Sequence, residues 1–371
     1  MFKILRRESR TTRDGVPVKN QSMETATAQR PSPKLRVPWY RSRVSREDLR
    51  QLNQRSDLKG FLQTGGYLGL LTMTGSAAYF SVGRVPWPVV VLLFYFHGTC
   101  WQFLINGFHE LVHDSVFKTK SLNVLFLRIF SFLGWYNHHQ FWASHTEHHK
   151  YTLHPPDDLE VVLPQKHTIR GFLKAAFINP KGIYYSLKTQ IRWARGKVQG
   201  EWETALFPES DSQKRRLLFN WARIVLLGHG AIIAISVVMH WWLLPVVITF
   251  APFYGGGLHY LCNASQHVGL QDNVPDYRLC CRTITLNPFF EFLYWHMNYH
   301  TEHHMYAAVP CYNLRRLHEL IKDDLPECPR GLYATWMQIG MILNRQKIDP
   351  TYQYAPALPT PADDHGPAGP G

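Results

Sequence analysis

"WPVVVLLFYFHGTCWQFLINGFHELVH", residues 87–113, decides the fold. Residues 87–108 carry no Asp, Glu, Lys or Arg, and their number matches the roughly 20 apolar residues that take a helix across a bilayer's hydrocarbon. His109 and His113 follow at once, and a spacing of four sets both rings on one face of a continuing helix. The stretch therefore reads as a membrane span that ends in a pair of imidazoles.

Three further apolar blocks extend the pattern. "FLQTGGYLGLLTMTGSAAYFSVG" (61–83) precedes the first, across a short break at Arg84; "LLFNWARIVLLGHGAIIAISVVM" (217–239) and "WWLLPVVITFAPFYGGGLHYLC" (241–262) flank His240. Helices buried in a soluble protein usually show a polar face at a period of 3.6, which argues for spans instead. The expected architecture is an all-α integral membrane protein: four transmembrane helices at about 61–83, 87–108, 217–239 and 241–262, arranged as two hairpins under a cytoplasmic, histidine-rich helical cap. The shorter run 122–136 carries Arg128 and is expected along the interface or against the hairpins. Residues 1–50 read as a flexible basic arm, 51–350 as the membrane domain and 351–371 as a disordered Pro- and Gly-rich tail. A mitochondrial targeting reading of the arm is weakened by Glu8 and Asp14.

Charge sets the expected topology. Of the 40 Lys and Arg residues, all but Arg84 and Arg223 fall in 1–66, 109–216 and 264–371, which the positive-inside tendency places on the cytoplasmic face. The net charge of +13 then reads as attraction to anionic headgroups and acidic partners; with no binding module in view, a nucleic-acid role fits poorly. The mean hydropathy of −0.22 averages over this alternation of greasy and basic blocks. Six cysteines with no C-x-x-C indicate neither a disulfide framework nor a zinc ribbon.

The histidines carry the chemistry. "HTEHH" occurs twice, giving His145, His148 and His149 and then His300, His303 and His304, while "NASQH" supplies His267 just past the last block. With His109 and His113 these make nine imidazoles close to where spans emerge. Neutral imidazole binds divalent first-row metals, and the i, i+3, i+4 spacing lets rings converge. Nine exceed the needs of one ion, which favours two metals with about four or five histidines each. Zinc sites are usually four-coordinate, so a zinc hydrolase leaves most of the nine unexplained; a transporter would set its ligands near the bilayer midplane. Iron, which activates dioxygen, suits the set better.

These motifs resemble the three histidine boxes of the membrane fatty-acid desaturase and hydroxylase superfamily: "HELVH", "HTEHH" and "HTEHH", with "HMNYHTEHHMYAAVPCYNL" similar to the third box and its sequel, from about residue 50 to about 335. The resemblance implies four spans, a cytoplasmic diiron centre, and an O2-dependent attack on an unactivated C–H bond of an acyl chain or lipid, most simply desaturation; hydroxylation and oxidative decarboxylation to a terminal alkene are the alternatives. It implies His109, His113, His145, His148, His149, His267, His300, His303 and His304 as ligands, with Asn263 acting through a water. No heme-binding His-Pro-Gly-Gly and no G-x-G-x-x-G occur, so electrons are expected from a separate carrier of cytochrome b5 or ferredoxin type and its reductase. The first box has three intervening residues where acyl-CoA desaturases usually have four, and the third begins with His300 where front-end desaturases usually carry Gln. "GEWE", "LFP" and "QHVGLQDNVPDYRLCCRT" are similar to a divergent branch that includes terminal-alkene-forming fatty acid decarboxylases. In a eukaryote the family's membrane would be the endoplasmic reticulum.

Around the boxes, Glu110, Asp114, Glu147, His296 and Glu302 are candidates to orient ligand rings. Asp157 and Asp158 read as a polar turn, with contact to the site or a headgroup as the alternative, His138 and His139 as structural, and His97, His229 and His259 as interhelical hydrogen-bonding residues. Trp87, Trp241 and Trp242 read as interfacial anchors.

Overall fold

The structure is a computed structural model that describes residues 36–165 and 167–359; most of the expected arm (1–35) and the end of the expected tail (360–371) lie outside the described residues. Among those described, regular structure is all helical, with only isolated bridges such as Tyr40 with Asp276 and Leu270 with Tyr354.

Helix α1 (Arg46–Leu52) starts on Ser45, whose hydroxyl accepts from the Asp48 N–H. Helix α2 (Asp57–Ser81) is capped the same way by Ser56, and turns at 82–86 into α3 (Trp87–Gln102), which has proline in its first turn. A kink at Phe103 leads into α4 (Leu104–Val112), so that Trp87–Val112 forms one apolar rod about 39 Å long. Helix α5 (Lys120–Leu133) packs beside α4, where Asn123 Nδ2 donates to the Leu111 carbonyl (2.6 Å), and it leaves Val124 and Leu125 exposed. Helix α6 (His138–Tyr151) begins on Asn137, whose side chain accepts from two backbone N–H groups. Helices α7 (Ile169–Ala176), α8 (Pro180–Ala194) and α9 (Glu201–Leu206) lead to α10 (Ser212–Val238), the second rod long and apolar enough to cross a membrane. Exposed Leu92 and Phe96 on α3 and Ile224 and Leu227 on α10 give these rods apolar outer faces, which suit lipid better than water.

The expected span 241–262 is not a continuous helix. It breaks into α11 (Leu244–Val247), a 3-10 turn (Ala251–Phe253) and α12 (Gly257–Ala264). Pro245 and Pro252 lack the N–H that a helix interior needs, and Gly255 adopts a left-handed φ of +72°. A side chain at Gly255 would lie 2.6 Å from the Thr99 nitrogen, so the backbones touch here. The carbonyls freed by the break are met by neighbouring side chains. His97 Nε2 pairs with the Val247 carbonyl (2.9 Å), Trp135 Nε1 donates to Thr249 (2.9 Å), Gln102 Nε2 donates to Pro252 (2.8 Å) and Tyr254 (3.1 Å), and Thr99 Oγ1 donates to Gly255 (3.0 Å). His97 also meets Thr74, and His229 bridges Thr249 and the Phe132 carbonyl, so these two histidines make the contacts expected of them. His259 instead packs its ring edge-on against Phe103.

Helices α13 (Tyr277–Cys280), α14 (Pro288–Leu293), α15 (His300–Met305) and α16 (Cys311–Ile321) follow, and α17 (Gly331–Ile348) closes the order. The main core joins the spans to this last third: Trp295, fully buried, meets Tyr67 and Phe130, and Gly107 leaves room for its indole. Residues 36–50, expected in the arm, are partly docked: Trp39 stacks on Tyr277 with ring centroids 4.1 Å apart and donates to the Lys150 carbonyl. The Tyr354 N–H, from the expected tail, donates to the Gly269 carbonyl (2.8 Å).

Candidate metal centre

Four chain segments deliver the nine histidines to one buried place. His109 lies on α4 and His113 caps it, α6 carries His145, His148 and His149, His267 follows α12, and α15 carries His300, His303 and His304. The ring nitrogens form two groups. His109, His113, His145, His149 and His303 place their ligand atoms within 4.8 Å of one another, as do His267, His300 and His304 together with the sulfur of Cys281. His148 belongs beside the second group, its ring centroid 5.4 Å from that of His267 and 5.0 Å from that of His304. His149 stacks on His304 at 4.5 Å and so joins the two groups.

The outer ring nitrogens explain why the inner ones point together. The Nδ1 atoms of His109, His145 and His148 face Glu110 (3.0 Å), Glu160 (2.8 Å) and Asp158 (2.8 Å). That of His267 donates to the Cys280 carbonyl (2.8 Å), and that of His304 meets Thr152 Oγ1 (3.1 Å), a hydroxyl already committed as donor to the His148 carbonyl. With protons held on Nδ1, the Nε2 atoms carry lone pairs. Yet His145 and His149 bring their Nε2 atoms to 3.0 Å, and His267 and His300 theirs to 2.9 Å. His300 Nδ1 has no partner to fix its tautomer, so an N–H can bridge such a pair when no metal is bound; what fits divalent metal is the convergence of so many imidazole nitrogens in two groups. Burial and neighbouring imidazoles hold His113 and His267 down to about 3, which keeps their rings neutral and ready to ligate. His303 and His304 are held well below the ordinary value by burial first and then by their neighbours.

The carboxylates differ from the expected set. Glu110 is buried and faces His109. Asp158, expected in a polar turn, is completely buried; its Oδ2 meets His148 and accepts from the Leu153 N–H, and its Oδ1 accepts from the Glu160 N–H. Burial pushes it up, but His148 and these N–H groups hold its carboxyl below the usual range, and its charge in turn raises His148 against burial. Glu160, which no motif marks, grips His145 and accepts from Ser144; burial pushes it up to about 7. Glu302 is buried but turns to Thr283 and to His318 (2.5 Å), a residue the sequence does not single out. Asp114 pairs with Arg55 and Glu147 with Lys150. His296 sits in a left-handed turn (φ +56°) and joins neither group, and Asn263 is exposed while the second group is buried.

An open cavity of about 860 Å³ reaches His113, His149 and His304 from outside, between Trp142, Met305 and Tyr306, with Arg36, Arg41 and Lys150 on its walls. It gives a long ligand a way to both groups.

Residues 86–336 match the family model described as "Fatty acid desaturase". The chain belongs to the fatty acid desaturase family. It is therefore a membrane oxidoreductase of lipid metabolism. Among curated proteins it is 25% identical over 276 residues to a rice (Oryza sativa subsp. japonica) protein named sphingolipid delta(4)-desaturase DES1-like, covering 71% of this chain and 74% of that one. A protein of the same name from Arabidopsis thaliana is 26% identical over 263 residues, covering 68% and 69%. The family match spans the first histidine pair through α15, so the two groups of rings lie inside it.

Proposed function

We propose that this desaturase-family protein removes hydrogen from an unactivated position of an acyl chain or lipid, using dioxygen and two irons held by the two histidine groups, with an alkene as product. The observation that carries the reading is the convergence of nine imidazoles in two adjoining groups, five of the rings aimed by an outer partner on Nδ1. The first iron would be held by His109, His113, His145, His149 and His303, the second by His148, His267, His300 and His304. Two irons there supply the activation of dioxygen that breaking such a C–H bond requires.

The chain's own residues do the rest. Glu110, Glu160 and Asp158 would fix the tautomers of three rings. The cavity beside His113, His149 and His304 admits the chain, and its basic residues suit an anionic headgroup. In the membrane, α2, the rod 87–112, α10 and the broken segment 241–264 would form two hairpins, with the basic segments and the metal groups on the cytoplasmic side. Broken backbone is tolerated at that depth because protein side chains meet its carbonyls. Electrons would come from a separate cytochrome b5- or ferredoxin-type carrier, and in a eukaryotic cell the membrane would be the endoplasmic reticulum.

Mass spectrometry of lipids, free acids, sphingoid bases and volatiles tests the reading, comparing cells that express the wild type with cells that express a His148→Ala, His303→Ala double variant. A product two hydrogens lighter, made only by the wild type, is expected. A product one oxygen heavier, or an alkene one carbon shorter, would replace desaturation by hydroxylation or decarboxylation. Equal product from both proteins would overturn the metal-dependent reading.

A further inference from the structure

Cys281 is the one cysteine that joins either ring group among the described residues. Its side chain is 2% exposed, and its Sγ lies within 4.8 Å of the ligand nitrogens of His267, His300 and His304. Cys281 is not held there by chance packing. The Cys280 carbonyl accepts from His267 Nδ1, so the same dipeptide aims the ring and carries the sulfur. Next along the chain, Arg282 donates through its backbone to Gln266 and through its guanidinium to Ser265 and Val268, tying 280–282 to the turn that holds His267. Thr283 then bonds Glu302 and accepts from the Thr301 N–H, tying the segment to α15. Both supports of the second ring group thus fix the sulfur's position.

Charge gives the sulfur a role. In the first group, two rings lean on carboxylates, Glu110 and Glu160; in the second, only His148 does, through Asp158. A buried dication among neutral imidazoles needs more compensation than that. Asn263, which the family resemblance suggested as acting through a water, is exposed. We propose that Cys281 is a thiolate ligand of the second metal ion, alongside His148, His267, His300 and His304. The inference rests on the metal-centre reading above. On binding, the metal–sulfur bond forms, the S–H bond breaks and its proton leaves to solvent, with no change of oxidation state. The pair of ions is then unlike, one in an all-nitrogen set and the other with a soft ligand that alters its preference and potential.

X-ray absorption at the iron edge of the purified, iron-loaded full-length protein tests this, together with metal content for each sample. The wild type is expected to show a sulfur shell at about 2.3 Å, a distance typical of metal–thiolate bonds, amounting to one sulfur per two irons. Cys280→Ser is expected to keep that shell, and Cys281→Ser and Cys281→Ala to lose it. A wild-type protein that holds two irons with only nitrogen and oxygen neighbours would overturn the assignment of Cys281 while leaving the metal centre intact. A wild-type protein that takes up no iron would overturn both.

Discussion

Asp158 shows what a single side chain contributes to the centre. Its carboxylate holds the His148 proton on Nδ1, and its completely buried position leaves the ring no alternative acceptor in contact. Asp158→Asn keeps the shape but removes the charge that holds the ring, and sets an amide NH2 group against the Glu160 N–H. Apparent iron affinity, measured by chelator competition, is expected to fall about 10–100-fold, the usual cost of losing such a partner; Asp157→Asn, one residue away, is expected to leave it unchanged. Equal affinities in the two variants would contradict the role given to Asp158. The convergence of eight histidines is legible from helical spacing, which fixes which rings share a face, whereas His267, alone on its segment, stands out only through the family resemblance. Asp158, Glu160, His318 and Cys281 were not legible from spacing, because turns outside the box helices return them to the rings, and no periodicity encodes a turn's path. His296 illustrates the converse: it lies four residues before His300, yet its left-handed backbone leaves it in neither ring group.

At the scale of the element, the segment after α10 was misread for a related reason. Apolar composition reports burial in a greasy environment but not continuity of hydrogen bonding, and Pro245, Pro252 and Gly255 break the backbone without altering the hydropathy. Other segments supply the missing donors, with Gln102 serving two carbonyls. Gln102→Leu leaves both carbonyls without that donor inside the protein, a loss of about 1–3 kcal/mol for each buried group left unpaired. A clear fall in midpoint of thermal unfolding in detergent is expected. Thr72→Val, which removes only a local bond to Leu68 on an exposed face of α2, is expected to change the midpoint little. Similar midpoints for the two variants would contradict the bracing role of α3.

For the whole molecule, the proposed pair of hairpins, with the basic segments on one face, commits each loop to a side of the membrane. Single cysteines at Arg84 and His240, both exposed in the turns between apolar segments, are expected to react with an impermeant thiol reagent from the face opposite to one at Asp323; labelling of all three from one face would contradict the four-span arrangement. The buried rings also make the metal-free protein sensitive to acid. His113 and His267 are held down to about 3 by burial and by their neighbours, whereas the unfolded chain takes up protons near 6.5. Below 6.5 the unfolded state binds more protons, so stability present at neutral pH is lost progressively as pH falls from 6.5 toward 3. The thermal midpoint of the metal-free protein is expected to drop between pH 7 and pH 5, and a midpoint that rises over that interval would contradict neutral, buried rings.

Iron content per chain tests the two-group centre most directly, measured by elemental analysis and protein quantification on wild type, His148→Ala and His303→Ala purified from iron-replete cells. The expected result is two irons in the wild type and a selective loss in each variant, from the second group for His148→Ala and from the first for His303→Ala, with product formation abolished in both. A wild type that binds one iron or none, or variants that retain two irons and full activity, would contradict the two-iron centre.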